Sequence, residues 1–347
     1  MTPTKASPDR SPLARRAFSL IELLVVITII AVVIAITVPA LSGARELARK
    51  SATESSVNSL VQAAAQFRTD EQRAPGFFSP EEMGDPDNVN RGLSSMQNIM
   101  LELIGGVVEE DPANTSQLEV GPRSGNGNTV FVDPALINVD KAKSYYTPNA
   151  DDYKPAQGTE ASEDNHKELP EVHDAWGMPI LAWVENDIGS VMNDNSVLSD
   201  FAQNETGEAS DPARYYWAQN SAALRSAALG QRQTDQDTGS LVGSGVAASD
   251  RAVHMAALLG SPNSSVNGSA NYRQILPRVG RGPVLFHSAG SDRVFVSSKD
   301  NGYNRLAGEF LFGRNLTPGD TVVRDPYPEG SIDILDAFDD IVTAAGS

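Results

Sequence analysis

Between Ala17 and Ala44 the chain carries one charged side chain, Glu22, and residues 23–41 carry none. As a helix, residues 23–41 span about 28 Å, close to the thickness of a bilayer core. Past Leu41 the sequence turns polar, yet a helical period persists: Val57, Leu60, Val61, Ala64 and Phe67 recur on one face. Arg45, Glu46, Arg49, Lys50, Glu54 and Arg68 supply polar positions, and Arg73-Ala74-Pro75-Gly76 is a stop signal. The pattern predicts one helix from Phe18 to about Arg73, roughly 80 Å long, kinked or locally melted at Pro39 and Gly43. Its first half is built for lipid or a filament core. Its second half is expected to pack on a globular domain; a coiled-coil partner is the alternative, but the apolar stripe is short for one.

Downstream the pattern is broken into short pieces. Ser79–Gly92 reads as a loop. Leu93, Met96, Met100, Leu103, Ile104 and Val107 follow a helical period that Gly105-Gly106 should end. Thr129–Val132 and Pro179–Val184 read as strands. Tyr145–Leu169 is polar and without a period. Arg214–Leu229 and Asp250–Leu259 read as helices. Gln231–Ala248 and Ser261–Asn271 are Gly/Ser/Asn/Gln-rich and read as flexible surface loops. Val284–Phe286 and Arg293–Val296 are expected to pair about a turn at Gly290-Ser291, and Glu309–Phe312 to add a strand. No internal repeat is visible.

Composition narrows the chemistry. The 347 residues hold no cysteine, which removes disulfide scaffolds, cysteine zinc sites and thiol catalysis. Lys+Arg 27 against Asp+Glu 45 gives a formal charge of −18, which argues against coating a nucleic-acid backbone. The charge is not even. Residues 1–17 carry Lys5, Arg10, Arg15 and Arg16 against Asp9, a local +3 just before the apolar run. Such a basic flank favours a cytoplasmic amino terminus.

A plain signal peptide would explain an apolar run, but Ala40-Leu41-Ser42 is a poor cleavage site and the helical pattern continues past it. The segment Arg15-Arg16-Ala17-Phe18-Ser19-Leu20-Ile21-Glu22-Leu23-Leu24-Val25-Val26 resembles the prepilin-type cleavage and methylation segment of type IV pilins and type II secretion pseudopilins. The resemblance implies cleavage between Ala17 and Phe18 and N-methylation of the new Phe18 terminus by a prepilin peptidase. Ala17 stands where the family usually has glycine, so slower processing is expected. An acid at the edge of an apolar span needs a partner or a function. In an assembled filament Glu22 can pair with the Phe18 amine of a neighbouring subunit and so fix the register between helices. Four parts follow: leader 1–17, membrane and assembly half 18–44, amphipathic half 45–74, and extracytoplasmic head 75–347.

Two further patches extend the resemblance. Asp174-Ala175-Trp176-Gly177-Met178-Pro179-Ile180 is similar to the Asp-x-Trp-Gly-x-Pro string of major pseudopilins. Gly177 and Pro179 would shape a turn with Trp176 packed beneath it. Phe286-His287-Ser288-Ala289-Gly290-Ser291-Asp292 resembles their Ser-x-Gly-x-Asp loop, and Asp339-Asp340-Ile341 their closing acidic element. In that family the loop binds calcium, which implies Asp292, Asp339 and Asp340 as ligands, with Ser288 able to help. Calcium takes hard oxygen donors of this kind. Arg293 stands where the family has glycine and would oppose a nearby metal. About 100 residues separate the first two patches, more than is typical, and mark an insertion around residues 186–283.

Catalytic patterns are sparse. His166, His173, His254 and His287 show no zinc spacing, and no nucleophile elbow or phosphate loop is present. His287, Ser288 and Asp292 do not suggest a triad, because neighbours on a strand point to opposite faces. Tyr215-Tyr216-Trp217, Trp176 and Trp183 read as core. The expected fold is α+β and pilin-like: a long amino-terminal helix on a small antiparallel sheet, with a large insertion. The expected function is that of a non-enzymatic filament subunit in a secretion pseudopilus or type IV pilus-like fibre. Its partners would be further copies, other pseudopilins, the prepilin peptidase and an inner-membrane assembly platform. It would sit in the inner membrane with the head outside the cytoplasm. The alternative is a signal-anchored extracytoplasmic binding protein or enzyme. Loss of the leader would leave 347 − 17 = 330 residues with charge −18 − 3 = −21.

Overall fold

The computed structural model describes residues 19–123, 129–137, 144–149, 153–155, 164–193, 195–204, 213–225, 239–261, 276–300 and 333–346. It divides into two compact units, Met1–Ala48 and Arg49–Ser347. Helix α1 spans Leu20–Glu71. The helical pattern runs through Pro39 and Gly43 without interruption, so the expected local melting is absent. A proline removes one ladder bond, and the turns on either side remain intact.

In the first unit the large apolar side chains from Leu20 to Leu41 are exposed. This stretch is long and apolar enough to cross a membrane, with a mean hydropathy of 3.0 over its most apolar window. Its hydroxyls are satisfied internally. Thr28 donates to the Leu24 carbonyl at 2.7 Å and Thr37 to the Val33 carbonyl at 2.9 Å. Such internal bonds leave no unpaired threonine hydroxyl to face an apolar surrounding.

The second unit is built on the rest of α1, where Thr53, Val57, Leu60, Ala63, Ala64 and Phe67 are buried. Short helices follow: α2 (Pro80–Met83), α3 (Asn88–Arg91), α4 (Ser95–Leu103), α5 (Pro134–Ile137), α6 (Asp164–Glu168), α7 (Leu198–Phe201), α8 (Ser221–Arg225) and α9 (Ala248–Leu259). The expected loop at Ser79–Gly92 thus holds two helical turns. Ser79 and Glu82 cap the first reciprocally, a pattern the periodicity cannot reveal in so short a piece.

The strands are β1 (Val107–Val108), β2 (Leu118–Val120), β3 (Val130–Val132), β4 (Tyr153–Pro155), β5 (Pro170–Val172), β6 (Leu181–Val184), β7 (Ala202–Gln203), β8 (Tyr215–Tyr216), β9 (Val284–Ser288) and β10 (Ile341–Ala345). They form antiparallel sheets β1-β3-β2 and β10-β9-β6, an antiparallel pair β4-β5 and a parallel pair β7-β8. A long amino-terminal helix with small, mostly antiparallel sheets is the expected α+β, pilin-like arrangement.

In the central sheet β10-β9-β6, strands β6 and β9 are buried on both faces, while Val342–Ala344 of β10 are half-buried. Ala182, Val184, Val284 and Phe286 join one core with Val57, Leu60 and Phe67 of α1 and Ile99 and Leu103 of α4. Leu181, Trp183 and Leu285 join a second core with Phe201, Trp217, Met255 and Leu258 from the insertion around residues 186–283. Alternate residues along each strand feed opposite cores. The insertion is therefore the cover for the second face of the sheet.

Several local expectations are corrected. β9 pairs with β10 and β6, and Arg293–Val296 is no strand. Arg293 (φ 68°) and Val296 (φ 49°) take left-handed backbone that a strand excludes. Arg214–Leu229 opens with β8 and a 3₁₀ turn at Trp217–Asn220 before α8, because Tyr215 and Trp217 seat in the second core; its residues 226–229 lie outside the described residues. Within the expected surface loop 231–248, Leu241 and Val242 are buried. Glu309–Phe312 and most of Ser261–Asn271 lie outside the described residues.

Candidate functional site

The loop after β9 brings three carboxylates together. Asp292, Asp300 and Asp339 each offer an oxygen within 4.8 Å of the others. Asp339 organises the loop: its Oδ2 accepts the amides of Ser291 (2.7 Å) and Asp292 (2.9 Å) and the Ser291 hydroxyl (2.6 Å). Its Oδ1 is buried and has no hydrogen-bond partner among the described residues. Burial pushes the Asp292 carboxyl up to about 7, and the Asp339 charge adds to it. The same two causes lift Asp300 to about 6. Three hard oxygen donors, one of them buried and unsatisfied, fit a divalent cation. The cluster can hold a metal ion.

Asp340, expected beside Asp339 as a ligand, takes another place. Its buried carboxylate pairs with His287 Nε2 and accepts the Val296 amide at 3.0 Å. Burial raises its pKa. Asp340 thereby secures the strained backbone at Val296 and the loop that carries Asp292. Asp300 was not signalled by the sequence. It is one acid in a polar run, and the strand expected at Arg293–Val296 concealed the loop that returns it to Asp292. The Ser288 hydroxyl donates to Asp174 Oδ2 at 2.7 Å.

The Asp174 turn precedes β6. Asp174 Oδ1 accepts the amides of Trp176 and Met178, both at 2.9 Å, and Gly177 takes a left-handed φ of 79°. Trp176 is buried. Burial raises the Asp174 carboxyl to about 6 despite these donors. His166, His173 and His254 each bond main-chain groups. The Gly121 amide donates to His166 Nε2 at 3.1 Å, so Nδ1 carries the proton and donates to the Arg91 carbonyl at 2.8 Å. His254 Nδ1 lies 2.6 Å from the Leu241 carbonyl and His173 Nδ1 3.1 Å from the Glu171 carbonyl.

At the other end of the chain, Ala17 and Phe18 lie outside the described residues. Glu22 sits in the first turn of α1, where its Oε2 accepts the Ser19 amide at 2.9 Å. A carboxylate there satisfies one of the orphan amides of the helix start and favours its dipole.

Residues 13–38 match the family described as the prokaryotic N-terminal methylation motif. No curated protein and no solved structure matches the chain. The matched segment and the long apolar helix behind it fit the type IV pilin-like family. More narrowly, the motif supports a pilin-like substrate of prepilin peptidase, and the apolar amino-terminal helix that overlaps it suggests a membrane anchor. That motif points to a structural, pilin-like role.

Proposed function

We propose that the protein is a subunit of a type II secretion pseudopilus or type IV pilus-like filament. The observation that carries this is the methylation motif at residues 13–38 continuing directly into an apolar helix whose side chains are unburied within the chain. Such a surface needs lipid or other helices around it. Prepilin peptidase would cut between Ala17 and Phe18 and methylate Phe18, leaving the head outside the cytoplasm. In the free subunit Glu22 caps its own helix; in the filament it would pair with the Phe18 amine of a neighbour. Calcium at Asp292, Asp300 and Asp339 would staple the head, which has no cysteine for disulfides.

Mass spectrometry and filament assays on wild type and Glu22→Ala test this reading. Both proteins should begin at methylated Phe18, and only the wild type should assemble. A wild-type chain still beginning near Met1 would remove the cleavage assignment. A Glu22→Ala chain that assembles at the normal rate would remove the register role of Glu22, and a processed wild type that forms no filament would favour a plain signal anchor.

A further inference from the structure

A run of hydrogen bonds, buried at Ser288, connects the seat of α1 to the acidic cluster. Thr53, buried on α1, accepts the Ala175 amide through Oγ1 at 3.1 Å. Ala175 follows Asp174, whose Oδ2 takes the proton of the Ser288 hydroxyl. The same Ser288 oxygen accepts the Gly290 amide at 3.3 Å. Gly290 (φ 68°) lies so near Asp339 that a Cβ would fall 2.3 Å from its carbonyl oxygen. The next two amides, of Ser291 and Asp292, are those held by Asp339 Oδ2. Asp174 is 4% exposed and Ser288 is 0% exposed, so water does not replace either partner.

We propose that Asp174 and Ser288 are positioning residues for the cation cluster, and that a bound cation tightens the Asp174 turn onto Thr53. This rests on the cation reading above. A cation bridging Asp292, Asp300 and Asp339 gives the orphan Asp339 Oδ1 a partner and pins the backbone from Gly290 to Asp292. That backbone is tied through one hydroxyl to Asp174, so order gained at the cluster passes to the turn. The coupling is reciprocal: a loosened turn weakens the cation. Removing the Ser288 hydroxyl would strand the Gly290 amide and Asp174 Oδ2 together. Groups behind the ligands commonly change metal affinity about 10–100-fold.

The experiment uses the full chain in detergent micelles, titrated with Ca²⁺ by calorimetry, with amide exchange followed at Ala175. Wild type should bind, and Ca²⁺ should slow exchange at Ala175. Ser288→Ala should weaken binding about tenfold and abolish the Ca²⁺ effect at Ala175, while Ser288→Thr, which keeps the hydroxyl, should retain both. If Ser288→Ala does not fold, Asp174→Asn decides. It keeps Oδ1 as acceptor, presents an amide where the serine proton was received, and should show the same losses. Wild-type affinity and wild-type protection in the deciding variant would overturn the positioning role and leave the cation reading standing. No Ca²⁺ binding by the wild type would overturn both.

Discussion

Glu171 on β5 is buried, and the Ser94 hydroxyl donates to its carboxyl. Burial dominates and lifts the carboxyl to about 7 from an ordinary 4.5. Below pH 4.5 both folded and unfolded chains hold this proton, and burial imposes no electrostatic penalty. Between about 4.5 and 7 the unfolded chain has released the proton while the folded one still holds it, so stability falls through this window and is level above it. The buried Asp174 carboxyl, lifted to about 6, acts in the same direction. The full shift at Glu171 corresponds to about 3 kcal/mol. Chemical unfolding in a chelator should therefore give lower stability at pH 8 than at pH 5. Glu171→Gln should flatten that slope and exceed the wild type by roughly 2 kcal/mol at pH 8. A variant with the wild-type slope would show that Glu171 ionises without penalty. Glu171 is legible in the sequence only as one acid in a short polar strand. Its burial follows from pairing with β4 and packing against α4, and neither is a local signal.

At the scale of elements, the free edge of β6 is closed by side chains. Gln219 Oε1 accepts the Val184 amide at 3.0 Å, and its Nε2 donates to the Val184 carbonyl at 3.1 Å. Asn220 Nδ2 donates to the Ala182 carbonyl at 2.7 Å. The two amides stand in for a missing neighbouring strand and leave the edge unavailable to another chain. Gln219→Ala would strand a buried donor and a buried acceptor, each at about 1–3 kcal/mol. Urea unfolding should show a loss of about 2–4 kcal/mol; a loss under about 0.5 kcal/mol would mean water replaces the amide. The apolar run of β6 and the period of α1, α4 and α9 made those elements readable. The partner of β9 was not. Gly290-Ser291 is a local turn signal, and it suggested a hairpin with Arg293–Val296. The structure uses Ile341–Ala345 instead. That distant pairing is fixed by Asp339 and Asp340, which bond to Ser291, Asp292, His287 and Val296. The family's motif positions pointed to Asp292 and Asp339, two members of the acidic cluster, while Asp300 and the hydrogen bonds of Asp174 and Asp340 required the fold.

For the molecule as a whole, the place where α1 is cut should decide whether the head folds. The second compact unit begins at Arg49 and includes the part of α1 that carries Val57, Leu60, Ala63, Ala64 and Phe67 into the core shared with the central sheet. A fragment of residues 49–347 keeps all of them and omits the exposed apolar stretch from Leu20 to Leu41. It should be soluble without detergent and unfold in one cooperative transition. A fragment of residues 72–347 removes them together. Truncating one buried Phe or Leu costs about 2–5 kcal/mol, so the set exceeds the 5–15 kcal/mol that holds a typical domain. It would also uncover Phe286 and Ala182, on the face of the sheet opposite the insertion. The insertion shields only the other face and cannot compensate. Circular dichroism and thermal unfolding of the two fragments make the comparison. Cooperative unfolding of 72–347 at a midpoint near that of 49–347 would show that the insertion side folds alone and that α1 is only an anchor laid on a finished domain. Failure of 72–347 beside a folded 49–347 would mean that the helix that enters the membrane is also the inner wall of the head. Forces applied to α1 would then act directly on the core beneath the sheet whose loops carry Asp292 and Asp339.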